Sequence, residues 1–200
     1  MTTVASSPRR PCWRRAWVAG LALGLWPFSL WAQPIDVSVR QDGEHIVVDV
    51  SARVAAKIEN VWAVLTDYEH MPEFMSALKS SQVLSRKGNE LEVAQTGEAR
   101  RGFLHFSFAT VRAVELTPER EIRSHLIRGD FKSYVFTTRL ANEADGTVLI
   151  THHGEYVPTS WVPPVVGPAM IETETRKQYL ELTTEMLRRQ SGAARQPPAR

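Results

Sequence analysis

The chain has 200 residues, 24 Lys+Arg against 22 Asp+Glu, and one cysteine, Cys12. That length suits one domain of ordinary size, the balanced charge argues against nucleic acid as a partner, and a lone cysteine excludes an intrachain disulfide. No glycine-rich phosphate loop, His-Glu-x-x-His or Cys pair is present, so no cofactor or metal is expected.

Arg9, Arg10, Arg14 and Arg15 precede an apolar run from Ala16 to Leu30, followed by Trp31-Ala32-Gln33. This is the layout of a secretory signal peptide over residues 1–32, cleaved after Ala32. The apolar run contains Pro27 and is short for a span that needs about 20 residues. The expected product is exported, periplasmic or secreted, with no stable membrane span. Cleavage removes four of the 24 basic residues and no acid, leaving 20 against 22, a net charge of −2. Cys12 leaves as well, and thiol chemistry with it.

Ile35 to Val39 and His45 to Val54 alternate around Asp42-Gly43, a hairpin signal. Ile58, Val61, Trp62 and Leu65 have the i, i+3, i+4, i+7 spacing of a short helix. Thr66-Asp67-Tyr68-Glu69 breaks it. Met71, Phe74, Met75 and Leu78 repeat the spacing, with Pro72 at the start of a second short helix. Six runs follow, Ser81–Ser85, Leu91–Ala99, Leu104–Leu116, Glu121–Arg128, Ser133–Ala141 and Val148–Val157, separated by turn residues. They predict an antiparallel meander.

A long helix is predicted between Pro163 and Gln190, with Pro168 in its first turn and Gly192 as its stop. One face carries Ile171, Thr175, Tyr179, Leu182 and Met186. Its C-terminal half is apolar enough to pack on a sheet. Its N-terminal half, Glu172 to Gln178, is polar and suits either the wall of a cavity or a frayed first turn in solvent. The domain thus spans residues 33–190, and Ser191–Arg200, small, Pro-rich and basic, reads as a disordered tail. Strands, two short helices, strands and one long helix make an α+β fold, a curved antiparallel sheet wrapped around the C-terminal helix.

Side chains alternate faces along a strand. The face bearing Phe106, Phe108, Tyr134 and Phe136 also bears Arg112, Ser124, Thr138 and His152. A solid core rarely accepts Arg and His without partners, whereas an aromatic-lined cavity with a few polar groups wants them. The alternative is a β-bulge that turns these residues to solvent. Tyr68, Met71, Phe74 and Met75, with Trp161, read as an adaptable rim that moves on ligand binding; the alternative is that Met71, Phe74, Met75 and Trp161 plug the open end of the sheet as ordinary core.

Val61-Trp62-Ala63-Val64-Leu65-Thr66-Asp67-Tyr68 with Met71-Pro72-Glu73-Phe74, and Trp161-Val162-Pro163-Pro164 before the long helix, resemble the START-like (SRPBCC) superfamily. Within it the chain is similar to the polyketide cyclase/dehydrase and coenzyme Q-binding branch. The resemblance covers residues 45 to 190. It implies the helix-grip fold, with a hydrophobic cavity between sheet and long helix and the two short helices at its mouth. It supplies no catalytic motif. The expected function is binding of a hydrophobic small molecule (lipid, quinone or polyketide-like), with cyclase/dehydrase acid–base chemistry as the alternative. The expected ligand-binding residues are Tyr68, Met71, Phe74, Phe106, Phe108, Arg112, Tyr134, Phe136, His152, Trp161 and Tyr179.

Overall fold

In chain order the protein forms β1 (Ile35–Asp42), β2 (His45–Val54), α1 (Ile58–Leu65), a 3-10 turn (Tyr68–His70), α2 (Met71–Phe74), β3 (Leu78–Lys87), β4 (Glu90–Arg101), β5 (Leu104–Thr117), β6 (Glu121–Gly129), β7 (Phe131–Asn142), β8 (Val148–Pro158) and α3 (Gly167–Arg195). This is a computed structural model, and it describes residues 35–101, 104–164 and 166–195. The segment read as a signal peptide, residues 1–32, lies outside the described residues.

The eight strands make one antiparallel sheet in the order β1-β2-β8-β7-β6-β5-β4-β3. β8 returns beside β2, with Val48 opposite Gly154 and Val54 opposite Val148. The sheet therefore stays open, with edges at β1 and β3, and α3 lies against it as a helix-grip fold requires. Arg176 of α3 donates to the Ile35 carbonyl of β1, so the helix covers that edge. The β3 edge is more exposed and is broken by register shifts between Leu78 and Ser80 and between Val83 and Ser85.

The core lies where β1, β2 and β8 meet α1 and the C-terminal half of α3. Val54, Val61, Val64, Ile150 and Met186 are fully buried there. The apolar period along α1 dictates this, because Val61, Val64 and Leu65 all fall on one buried stripe.

The boundaries of α2 and α3 differ from the sequence reading. α2 is a single turn, and Leu78 opens β3 instead of closing a helix. Met75 is already extended (φ −111°, ψ 101°), and the Ser76 amide and hydroxyl are both held by Glu181 of α3. Gly97 permits the close return onto the sheet: a Cβ there would stand 2.4 Å from the Ala77 carbonyl oxygen, which accepts from the Glu98 amide. Sheet pairing outcompetes the helical spacing in this stretch. α3 runs through Gly192 to Arg195, so the first part of the expected tail is helical. A glycine stop requires a left-handed backbone, and Gly192 is not among the glycines with positive φ. A mid-helix glycine costs only about 1 kcal/mol. The helix is 29 residues long, roughly 43 Å at its rise per residue. Among the described residues no helix is long and apolar enough to cross a membrane.

Candidate functional site

α3 divides as its sequence predicts. Leu182, Thr183 and Met186 are buried against the core. Toward the N-terminus the helix presents Ile171, Glu174, Thr175, Gln178 and Tyr179 to a cavity of about 420 Å³ enclosed with the sheet. These largely polar side chains do not fill the space that Leu182 and Met186 fill farther along, and the void follows from that change.

Nine of the eleven expected residues line this one cavity: Tyr68, Met71, Phe106, Phe108, Arg112, Tyr134, Phe136, His152 and Tyr179. The inward parity of β5, β7 and β8 is therefore real. A bulge does occur, between Val111 and Arg112 in the β5–β6 pairing, but the extra residue is Ile127 on β6, which is half-exposed. Arg112 keeps its inward direction. Phe74 and Trp161 do not line the cavity. The Phe74 ring lies under the Arg189 guanidinium at 5.6 Å, outside it. Trp161 is 76% exposed, although its neighbours Ser160 and Val162 do line the cavity.

The short-helix segment is a buried wall. Tyr68, Met71 and Met75 are buried, and the segment is tied to α3 by Asp67–Arg189 at 2.7 Å as well as by Ser76–Glu181. The exposed lining residues are Ser107, Asp130 and Ser160, at the start of β5, the β6–β7 turn and the loop after β8. The cavity opens to water among these three.

Gln95 and Phe131 are among the lining residues outside the eleven expected. Gln95 belongs to the alternation Leu91, Val93, Gln95, Gly97 on β4, a signal that is legible in the chain. Phe131 lies beyond the strand start read at Ser133, because a register shift separates the two.

The polar groups form two clusters. Arg112 Nη1 donates to the Tyr134 hydroxyl at 2.9 Å, and Nη2 donates to Gln95 Oε1. Gln95 Nε2 in turn donates to Ser81 Oγ at 2.9 Å and contacts Met71 Sδ at 3.5 Å. Arg112 Nε is buried without a partner among the described residues. In the second cluster His152 Nδ1 shares a 2.7 Å hydrogen bond with the Thr138 hydroxyl. Aromatic rings join the two: Tyr134 to Phe136 at 4.2 Å, Phe136 to His152 at 4.9 Å, and His152 to Tyr179 at 5.8 Å. Gly154 makes room for the Phe136 ring, since a Cβ there would come within 1.9 Å of it.

Burial sets the titration of this wall. It drives the His152 imidazole down to about 4, assisted by the charge of Arg112, so the ring is neutral at pH 7. It pushes the Tyr68 hydroxyl up to about 12, against the opposing pull of Arg112. The Tyr156 and Tyr179 hydroxyls are raised by the same desolvation. Among the described residues no group of three or more His, Cys, Asp or Glu is placed to hold a metal ion.

Residues 54–181 match the family model described as polyketide cyclase/dehydrase and lipid transport. Among solved structures, a protein from Thermus thermophilus is similar at 17% identity and TM-score 0.60, over 75% of this chain and 99% of that one. A START superfamily protein from Mycobacterium smegmatis is similar at 18% identity and TM-score 0.57, over 74% and 98%. The Zhui aromatase/cyclase from Streptomyces sp. R1128 is similar at 16% identity and TM-score 0.56, over 76% and 96%. No curated protein matches the sequence. At these identities the structures speak for the fold.

Proposed function

The chain belongs to the polyketide cyclase/dehydrase and lipid transport family, and from that premise we propose that it is an exported carrier holding a hydrophobic small molecule in the cavity between sheet and α3. A lipid, a quinone or a polyketide-like compound fits this description. One observation carries the choice of carrier over catalyst. The cavity groups whose titration burial displaces all move away from neutrality, His152 downward and Tyr68, Tyr156 and Tyr179 upward. General acid–base catalysis is most effective with a pKa near the working pH. These four groups are poor proton carriers at pH 7, and that suits storage.

Native mass spectrometry of the protein taken from its own periplasm or medium tests the reading. An apolar mass should accompany the chain and be released unchanged. Consistently ligand-free protein counts against a carrier. N-terminal sequencing of the same sample tests export, which fails if the chain begins at Met1.

Cyclase/dehydrase chemistry is the second reading, favoured by one feature: a guanidinium and a neutral imidazole share the cavity. Arg112 would polarise a carbonyl, with His152 or Tyr134 moving the proton. A bound compound converted over time by wild type, but not by Arg112→Met, would establish it.

A further inference from the structure

We infer that the ligand is an amphipathic acid whose carboxylate is held inside the cavity at Arg112, with its apolar body filling the aromatic remainder. The inference rests on the carrier reading and adds the head group.

Among the described residues Arg112 is a cation partnered only by neutral groups. Its hydrogen bonds go to a phenol and an amide oxygen, both uncharged, and its Nε–H has no partner. It makes no ion pair with any described residue. The nearby imidazole adds no second charge, because His152 is neutral at pH 7. A buried lysine can escape such a position by losing its proton, but a guanidinium cannot. An unpaired, partly desolvated charge is costly, and the free protein bears that cost with no described carboxylate at ion-pair distance from the guanidinium.

The chemistry of the missing partner follows from the donor set. A guanidinium offers five N–H donors in a planar fork. Tyr134 takes one N–H of Nη1 and Gln95 one of Nη2, and with Nε itself buried the second N–H on each Nη is left for a planar, singly charged oxyanion, the geometry a carboxylate matches best. The acidic lining residues orient the guest. Asp130 is exposed at the mouth and Glu174 is half-buried on α3. Ser107, also at the mouth, is five residues from Arg112 on β5, roughly 17 Å along the strand. Negative charge near the opening and positive charge farther inside favour an anion that sits head-inward.

Binding of dodecanoic acid, its methyl ester and dodecylamine to the full chain separates the possibilities, because the three share one apolar body. The acid should bind at least about tenfold more tightly than the ester, the amine should bind worst, and Arg112→Met should abolish the acid's advantage over the ester. Arg112→Lys should keep part of it. If Arg112→Met fails to fold, the wild-type ranking of acid, ester and amine decides alone. Equal binding of acid and ester overturns the carboxylate inference and leaves the carrier reading standing. Failure of all three to bind overturns both.

Discussion

The sheet has a solid end and a hollow end, built from the same alternation of side chains. At the solid end β2 and β8 offer Val50, Val54, Val148 and Ile150, all at most 4% exposed, to α1 and to Met186 of α3. At the hollow end β5 and β7 offer Phe106, Phe108, Tyr134 and Phe136, which stay half-buried around open space. Compact branched side chains facing an apolar helix stripe close to native density. Large rings braced against one another, opposite Glu174, Thr175 and Gln178, do not. The cavity is therefore written in residue size and polarity, with no change in backbone architecture.

Truncation at the solid end should have the largest effect. Ile150→Ala removes a fully buried side chain and should cost about 4 kcal/mol, read by urea unfolding. A loss below about 1 kcal/mol would mean that this end is loosely packed too. Acid should act next, and through the hollow end. The folded His152 titrates at about 4, because burial depresses it from 6.5. Below pH 6.5 the unfolded chain binds a proton that the folded chain refuses until about pH 4, so stability falls as pH drops through that window. The loss should reach up to about 3 kcal/mol. His152→Asn should flatten this slope, and parallel stability–pH curves for the two proteins would contradict the burial of the ring.

Phe136→Ala sharpens the contrast. A packed phenylalanine costs roughly 3–5 kcal/mol on truncation. Phe136 already borders a void, so about 1–2 kcal/mol is expected, together with a change in which ligands fit. A full core-sized loss would show that the hollow end is a core after all. Trp161→Ala, at an exposed position outside the cavity, should change stability by no more than about 0.5 kcal/mol, and a larger shift in the melting temperature would reveal packing that its exposure conceals.

Much of this contrast is legible in the sequence. The polar start and apolar finish of the 171–186 face foretell which half of α3 borders the void, and the parity of β5, β7 and β8 foretells most of the lining. Failures come where one periodicity overrides another. Met71, Phe74, Met75 and Leu78 keep helical spacing, yet Leu78 is taken by the sheet and Phe74 turns outward to Arg189. Trp161 is large and apolar, but no local pattern specifies which way a loop side chain points. Gln95 is easily overlooked because a polar residue at an inward position declares itself only once its partner, Arg112, is known to lie beside it.

The open sheet has a consequence for how molecules meet. The β1 edge is tied to α3 at Ile35, whereas β3 keeps unpaired backbone along its outer side. Its charged residues, Lys79, Arg86 and Lys87, are all positive. Two copies zipping β3 to β3 into a continuous ribbon would oppose like charges, and kinks at the two register shifts would spoil the ladder. This guard is electrostatic and so depends on salt. At about 1 M, where screening shrinks to roughly 3 Å, only the kinks remain to keep the molecules apart, and the protein's tendency to self-associate along this strand becomes a property of its solvent.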